Sequence, residues 1–197
     1  MSLEAAEKIS RSYETGYTLV VGVEKMTDIL NFEDRGTSIL FGDGGGAILI
    51  ENDGTGLPNY QSQMSGVPDE TDSIAVPMHQ QVDAKMTMDG RDVFNFVLRR
   101  VIPSLDSFIQ EEVGDFDLLV SHQANVRLLE MMAMKLKIGM EKVPSNIANV
   151  GNTSAGSIPI LLDQLVKADD ILLDGSQQVV FTGFGGGLSW GHITLKL

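Results

Sequence analysis

Apolar and polar positions alternate along this chain in patterns that change element by element. Residues 18–23 read Thr-Leu-Val-Val-Gly-Val, an apolar run that predicts a buried strand of the parallel type. A second strand is predicted over 44–50, entered through Gly44, Gly45 and Gly46, and a third over 60–66. Between them, residues 52–58 hold Asn52, Asp53, Gly54, Gly56 and Pro58 and mark a turn. From about 89 to 112, Val93, Phe94, Val97, Val101, Leu105 and Phe108 recur three and four apart, the stripe of a long helix. Pro103 lies inside that stripe and predicts a kink or a break.

The same reading gives a helix over 4–13 ending near Gly16, and a short amphiphilic segment over 37–42. Residues 67–85 show weak periodicity and predict an irregular, exposed excursion. Residues 117–120 form a strand that stops at His122, 126–137 a helix, 157–168 another helix, and 178–182 a strand. A glycine loop follows, and the alternation over 188–197 predicts a closing antiparallel strand that carries His192 at an exposed position. Helices and strands in turn, joined by short links, predict an α/β layered fold.

Composition narrows the classes. With 43% apolar residues and 21 glycines against only 6 prolines, the 197 residues suit a packed globular chain and not a disordered one. A net charge of -13 argues against non-specific contact with nucleic acid or anionic membrane. No apolar run approaches the ~20 residues of a membrane-spanning helix. The absence of cysteine removes disulfides and thiolate metal sites, and cytoplasmic localisation is the default expectation. No metal site is expected.

Three blocks place polar or glycine residues where apolar strands stop, which is where α/β proteins build sites. They are His122-Gln123-Ala124-Asn125-Val126-Arg127, Gly151-Asn152-Thr153-Ser154-Ala155-Gly156-Ser157, and Gly183-Phe184-Gly185-Gly186-Gly187-Leu188-Ser189-Trp190-Gly191. In isolation His122 is an ordinary structural histidine and Asn152 a turn residue. Together they offer an imidazole N–H and a carboxamide N–H, uncharged donors suited to a thioester carbonyl or enolate oxygen. A bare amide N–H in the glycine loop adds a third donor of the same kind. His79, in the excursion, and His192 lack such company. The run Gly42-Asp43-Gly44-Gly45-Gly46 precedes a strand and not a helix, so it reads as a tight turn near the site and not as a phosphate cradle.

These blocks resemble β-ketoacyl-acyl-carrier-protein synthase III, a condensing-enzyme family of the thiolase-like group. The likeness extends to Val20-Val21-Gly22-Val23-Glu24-Lys25, to residues 35–47 with their core Leu40-Phe41-Gly42-Asp43-Gly44-Gly45-Gly46-Ala47, and to Met88-Asp89-Gly90. It implies a thiolase-like layered α/β fold, with 4–51 as the tail of an N-terminal half and 52–197 as the C-terminal half. It implies decarboxylative condensation of an acyl-coenzyme A primer with malonyl-acyl-carrier protein, with thioester substrates and no cofactor. By resemblance His122, Asn152 and the Gly186 amide are catalytic. Asn125, Gly90 and Phe94 line the acyl and pantetheine channel, and Arg127 meets carrier protein or coenzyme A phosphate. Acyl carrier protein, acyl-coenzyme A and a second copy in a homodimer are the implied partners.

One departure governs activity. The family's nucleophile is a cysteine ahead of the helix corresponding to 4–13, and this chain holds none. Residues 1–3 read as an appended leader and the remainder as a C-terminal portion of a longer enzyme, inactive alone. Two other readings stand beside it: a condensing enzyme of secondary metabolism, and a non-catalytic fragment that binds carrier protein or a cysteine-bearing partner chain.

Overall fold

The computed structural model describes residues 1–13, 15–76 and 84–197. His79 and part of the expected excursion lie outside the described residues. Helix α1 (Ser2–Ser10) leads into β1 (Gly16–Glu24), which pairs antiparallel with β2 (Gly44–Asn52) from Gly16↔Asn52 to Glu24↔Gly44. β3 (Gln61–Gly66), the short pair β4 (Ile74–Ala75) and β5 (Thr87–Met88), and a long helical run follow. That run is α2 (Gly90–Phe96), a π turn over Val97–Val101, α3 (Ile102–Phe108) and a second π turn over Ile109–Val113. Asp89 caps its start by accepting from the backbone N–H groups of Arg91 and Asp92. The helical path continues past Pro103, but its regular α form is interrupted just before that residue, as a kink or a break there would require. A wider turn sits just before the ring and absorbs the misfit of a residue that has no N–H.

β6 (Leu118–Ser121), α4 (Val126–Leu136), α5 (Ile147–Val150), α6 (Ser157–Lys167), β7 (Gln178–Gly185) and β8 (Ser189–Lys196) complete the chain. The main sheet has the order β3-β8-β7-β6, with β6 and β7 parallel and the other neighbours antiparallel. Alternation along β7 sends Val179 and Phe181 to one face, packed with Leu161 and Leu165 of α6. Val180 goes to the other face, with Leu105 of α3 and Leu129 of α4. The sheet therefore lies between α6 and the α2–α4 layer, the helix–sheet–helix layering expected of an α/β fold.

Two expectations fail. β1 is neither parallel nor buried: Tyr17, Leu19, Val21 and Val23 are 69%, 61%, 53% and 67% exposed. A two-stranded ribbon covered on one side leaves every second residue outside, whatever the residue's hydropathy. His192 is the reverse case. β8 lies between β3 and β7 and is covered by α3, so His192 is fully buried.

Candidate active site

The parallel pair β6–β7 sets the site at its carboxyl end. The backbone N–H of His122, one residue past β6, donates to the Thr182 carbonyl at 2.7 Å and so extends the ladder. The ring then leaves the sheet toward α6, where Nδ1 lies 2.7 Å from Ser157 Oγ. Phe184 of β7 stands nearly perpendicular to the imidazole, ring centres 5.1 Å apart. Protein encloses the ring on most sides, and this loss of solvent pushes its pKa down to about 4. The imidazole is neutral at pH 7.

Asn152 follows the helix α5 and Gly151, not a strand as expected, and the φ of +70° at Gly151 suits glycine. Its backbone is held on both sides by the 40–42 segment: its N–H donates to the Leu40 carbonyl at 2.8 Å, and its carbonyl accepts from Gly42 N–H at 3.0 Å. Its Oδ1 accepts from Ser154 N–H at 2.9 Å, which fixes which end of the amide is used locally. Among the described residues the Nδ2 group has no hydrogen-bond partner. Gln123, fully buried, ties the two segments together. It donates to the Ser121 carbonyl at 2.9 Å and accepts from Ser145 Oγ at 2.9 Å, so it anchors the turn that leads to Asn152.

His122 and Asn152 line two adjoining cavities. The first, about 210 Å³, includes Gly90, Phe94 and Asn125 in its wall, and no charged side chain lines it among the described residues. The second, about 560 Å³, takes in Gly186 at the glycine loop. Thus His122, Asn152 and Gly186 share the larger space, while Gly90, Phe94 and Asn125 share the smaller one with His122 and Asn152. Arg127 lines neither and is exposed at the start of α4. Asn125 also caps α4, its Oδ1 accepting from Leu128 N–H at 3.0 Å. A neutral imidazole beside an unpaired carboxamide N–H, in an uncharged wall, can hold a thioester or enolate oxygen without pairing a carboxylate.

Reading the sequence missed three neighbours of His122. Ser157 closes the Gly151 block, Phe184 heads the glycine loop and Gln123 sits inside the histidine block, so the signal was adjacency to residues already chosen. The expected gap between His122 and His192 in surroundings is real but inverted in kind. His192 Nδ1 is 2.9 Å from Thr182 Oγ1 and its Nε2 3.1 Å from Ser104 Oγ, a closed core network in which both ring nitrogens are occupied.

With this geometry in view, comparisons with known proteins decide the family. The family model "3-Oxoacyl-[acyl-carrier-protein (ACP)] synthase III" matches residues 1–66, and its C-terminal counterpart matches 109–197. The chain belongs to the 3-oxoacyl-[acyl-carrier-protein] synthase III family. The β-ketoacyl-[acyl-carrier-protein] synthase III of Streptococcus gordonii is 39% identical over 209 residues, taking in 100% of this chain and 64% of that protein. That of Streptococcus pneumoniae (strain Hungary19A-6) is 40% identical over 207 residues, with the same coverage. The chain thus spans slightly less than two-thirds of the length of the synthase III relatives it matches. The crystal structure of 3-oxoacyl-(acyl carrier protein) synthase III from Pseudomonas aeruginosa superposes with a TM-score of 0.87 at 33% identity, covering 99% of this chain and 62% of that one. The synthase III of Aquifex aeolicus gives 0.86 at 31%, covering 100% and 63%. The synthase III fold, thiolase-like and mixed α/β, is therefore the fold of this chain.

Proposed function

We propose that this chain carries the His–Asn part of a site for decarboxylative condensation of an acyl-coenzyme A primer with malonyl-acyl-carrier protein, the step that initiates fatty acid synthesis. The observation that carries the reading is that His122 and Asn152 line the same cavity in a synthase III chain, with ring Nε2 and amide Nδ2 free and no charged side chain in the wall among the described residues. In this reading both groups donate to the thioester oxygen as malonyl loses carbon dioxide, and the negative charge that develops there is stabilised without a metal or other cofactor. The Gly186 amide serves the acyl carbonyl in the neighbouring space. Gly90, Phe94 and Asn125 border the channel for the acyl and pantetheine chain, and exposed Arg127 meets the phosphate of coenzyme A or an acidic face of the carrier protein.

The nucleophile is the missing partner. The 197 residues include no cysteine, so the acyl group has no thiol to occupy on this chain. The reading therefore places the cysteine on sequence beyond these residues. A cytoplasmic enzyme acting as a homodimer fits the composition and the family. Identities of 39% and 40% to synthase III proteins over the whole of this chain support the fatty acid assignment.

Complementation tests it. The chain is mixed with the cysteine-bearing N-terminal third of the Streptococcus gordonii relative and assayed with acetyl-coenzyme A and malonyl-acyl-carrier protein. Product formation is expected, with His122→Ala and Asn152→Ala each lowering it by about 10²-fold or more. If the two pieces of the relative reconstitute activity and this chain does not, the assignment is wrong.

A further inference from the structure

Ser157 is the first residue of α6 and is 1% exposed, yet its hydroxyl caps nothing in that helix. Its Oγ lies 2.7 Å from His122 Nδ1 and accepts a weaker bond from the Gln123 backbone N–H at 3.4 Å. The direction of the short bond follows from what each group has available. The hydroxyl carries one hydrogen, and among the described residues His122 Nδ1 is the only acceptor within its reach. If Nδ1 carried the proton and donated, the hydroxyl hydrogen would be buried with nothing to receive it. A buried donor left without an acceptor keeps its full desolvation penalty. If the hydroxyl donates, the Gln123 N–H, the hydroxyl and the Nδ1 lone pair form one satisfied chain.

We propose that Ser157 is a positioning residue for His122: its hydroxyl donates to Nδ1 and fixes the ring as the Nε2–H tautomer, so the nitrogen left free of protein partners is a donor and not a lone pair. The difference decides what the ring can do. A lone pair at Nε2 would repel a developing oxyanion, whereas N–H would hold it. Burial keeps the ring neutral, which makes the choice between two neutral tautomers the relevant one. Thr182 and Ser104 occupy both nitrogens of His192, so that ring has no comparable free position. The use of the Nε2–H for an oxyanion rests on the proposed function; the tautomer itself rests on the bond geometry alone.

Long-range proton–nitrogen NMR of the 197-residue chain labelled with ¹⁵N-histidine reads the tautomer without substrate. The His122 resonances are assigned by their loss in His122→Gln. At pH 7 the expected pattern is a protonated Nε2 and a bare Nδ1 in a single, non-averaged state. Ser157→Ala should move both nitrogens toward the averaged shifts of an exchanging pair, and Ser157→Thr, which keeps the hydroxyl, should restore the single state. A protonated Nδ1 or averaged shifts in the unmodified chain overturn the proposal, and so does an unchanged pattern in Ser157→Ala. The unmodified spectrum alone settles the direction of the bond should either variant fold poorly. A fixed Nε2–H in a chain that fails the complementation assay would leave the tautomer standing and remove the condensation role.

Discussion

Phe41 and Asn152 form an isolated parallel bridge, the one backbone pairing that ties the site asparagine to the segment leading into β2. Close approach makes it possible. A Cβ added at Gly42 would stand 2.3 Å from the Val150 carbonyl oxygen, an overlap no rotamer relieves because the obstacle is backbone. Gly42→Ala should therefore destabilise the chain by about 1–3 kcal/mol. Gly186→Ala should do far less, since its Cβ would make only ordinary contacts with Ile74, at 3.5 Å from Cγ2 and 4.0 Å from the carbonyl oxygen. Urea midpoints of the two variants against the parent check the contrast, and equal midpoints would contradict it.

Acid should weaken the fold through His192. Burial pushes its pKa down from 6.5 to about 4, so the unfolded chain takes up the proton near pH 6.5 and the folded chain only near pH 4. Its contribution is present above pH 6.5, is lost as pH falls between those values, and levels off below pH 4. The loss is on the order of 3 kcal/mol. Carboxylates titrate in part of the same window, so the readout is a difference. His192→Gln should be less stable than the parent at pH 7, with the gap narrowing steadily toward pH 4.5. Parallel stability curves would show that the ring is not held neutral.

The chain alone should form no acyl-protein adduct. Incubation with acetyl-coenzyme A and malonyl-acyl-carrier protein, followed by intact-mass spectrometry, should return the unmodified mass, because no thiol is present to accept the acyl group. A stoichiometric acetyl adduct would assign the nucleophile to some other side chain.

The outer face of β1 should drive self-association. Leu19, Val21 and Val23, with Leu49 opposite Leu19 on β2, make a contiguous exposed apolar stripe. Such a stripe on a two-stranded ribbon invites pairing. Light scattering at micromolar concentration should report a dimer or larger, and Leu19→Lys with Val21→Lys should shift it toward monomer. A monomeric parent chain would remove the face as an interface.

The long helical stripe and the helices after β6 were legible because each buries one face, which leaves a period in the sequence; β6 and β7, covered on both faces, were legible as unbroken apolar runs. The blocks at His122 and Gly186 were legible because polar or glycine residues interrupt apolar runs at strand ends, whereas Asn152 follows the short helix α5 and not a strand. What was not legible concerns coverage. Nothing in Thr18-Leu19-Val20-Val21 says that only one side of the ribbon meets α6, and nothing in the alternation around His192 says that α3 closes over it. Ser157 was hidden for a related reason: a serine at the start of a helix has a local explanation, and its bond to His122 spans 35 positions. Pro103 marked the interruption of the long helix, but the sequence does not say that a π turn would make it.

The glycines where the ribbon crosses the Asn152 segment have a mechanical meaning. At Gly22 an added Cβ would lie 2.3 Å from the Ala155 carbonyl oxygen, so bare backbone rests on bare backbone there, as it does at Gly42 against Val150. Side chains hop between rotamers and cushion small movements; peptide planes in direct contact do not. The seam between β1–β2 and the loop bearing Asn152 is therefore backbone against backbone, with no side chain between them at these two points to take up a shift of the ribbon.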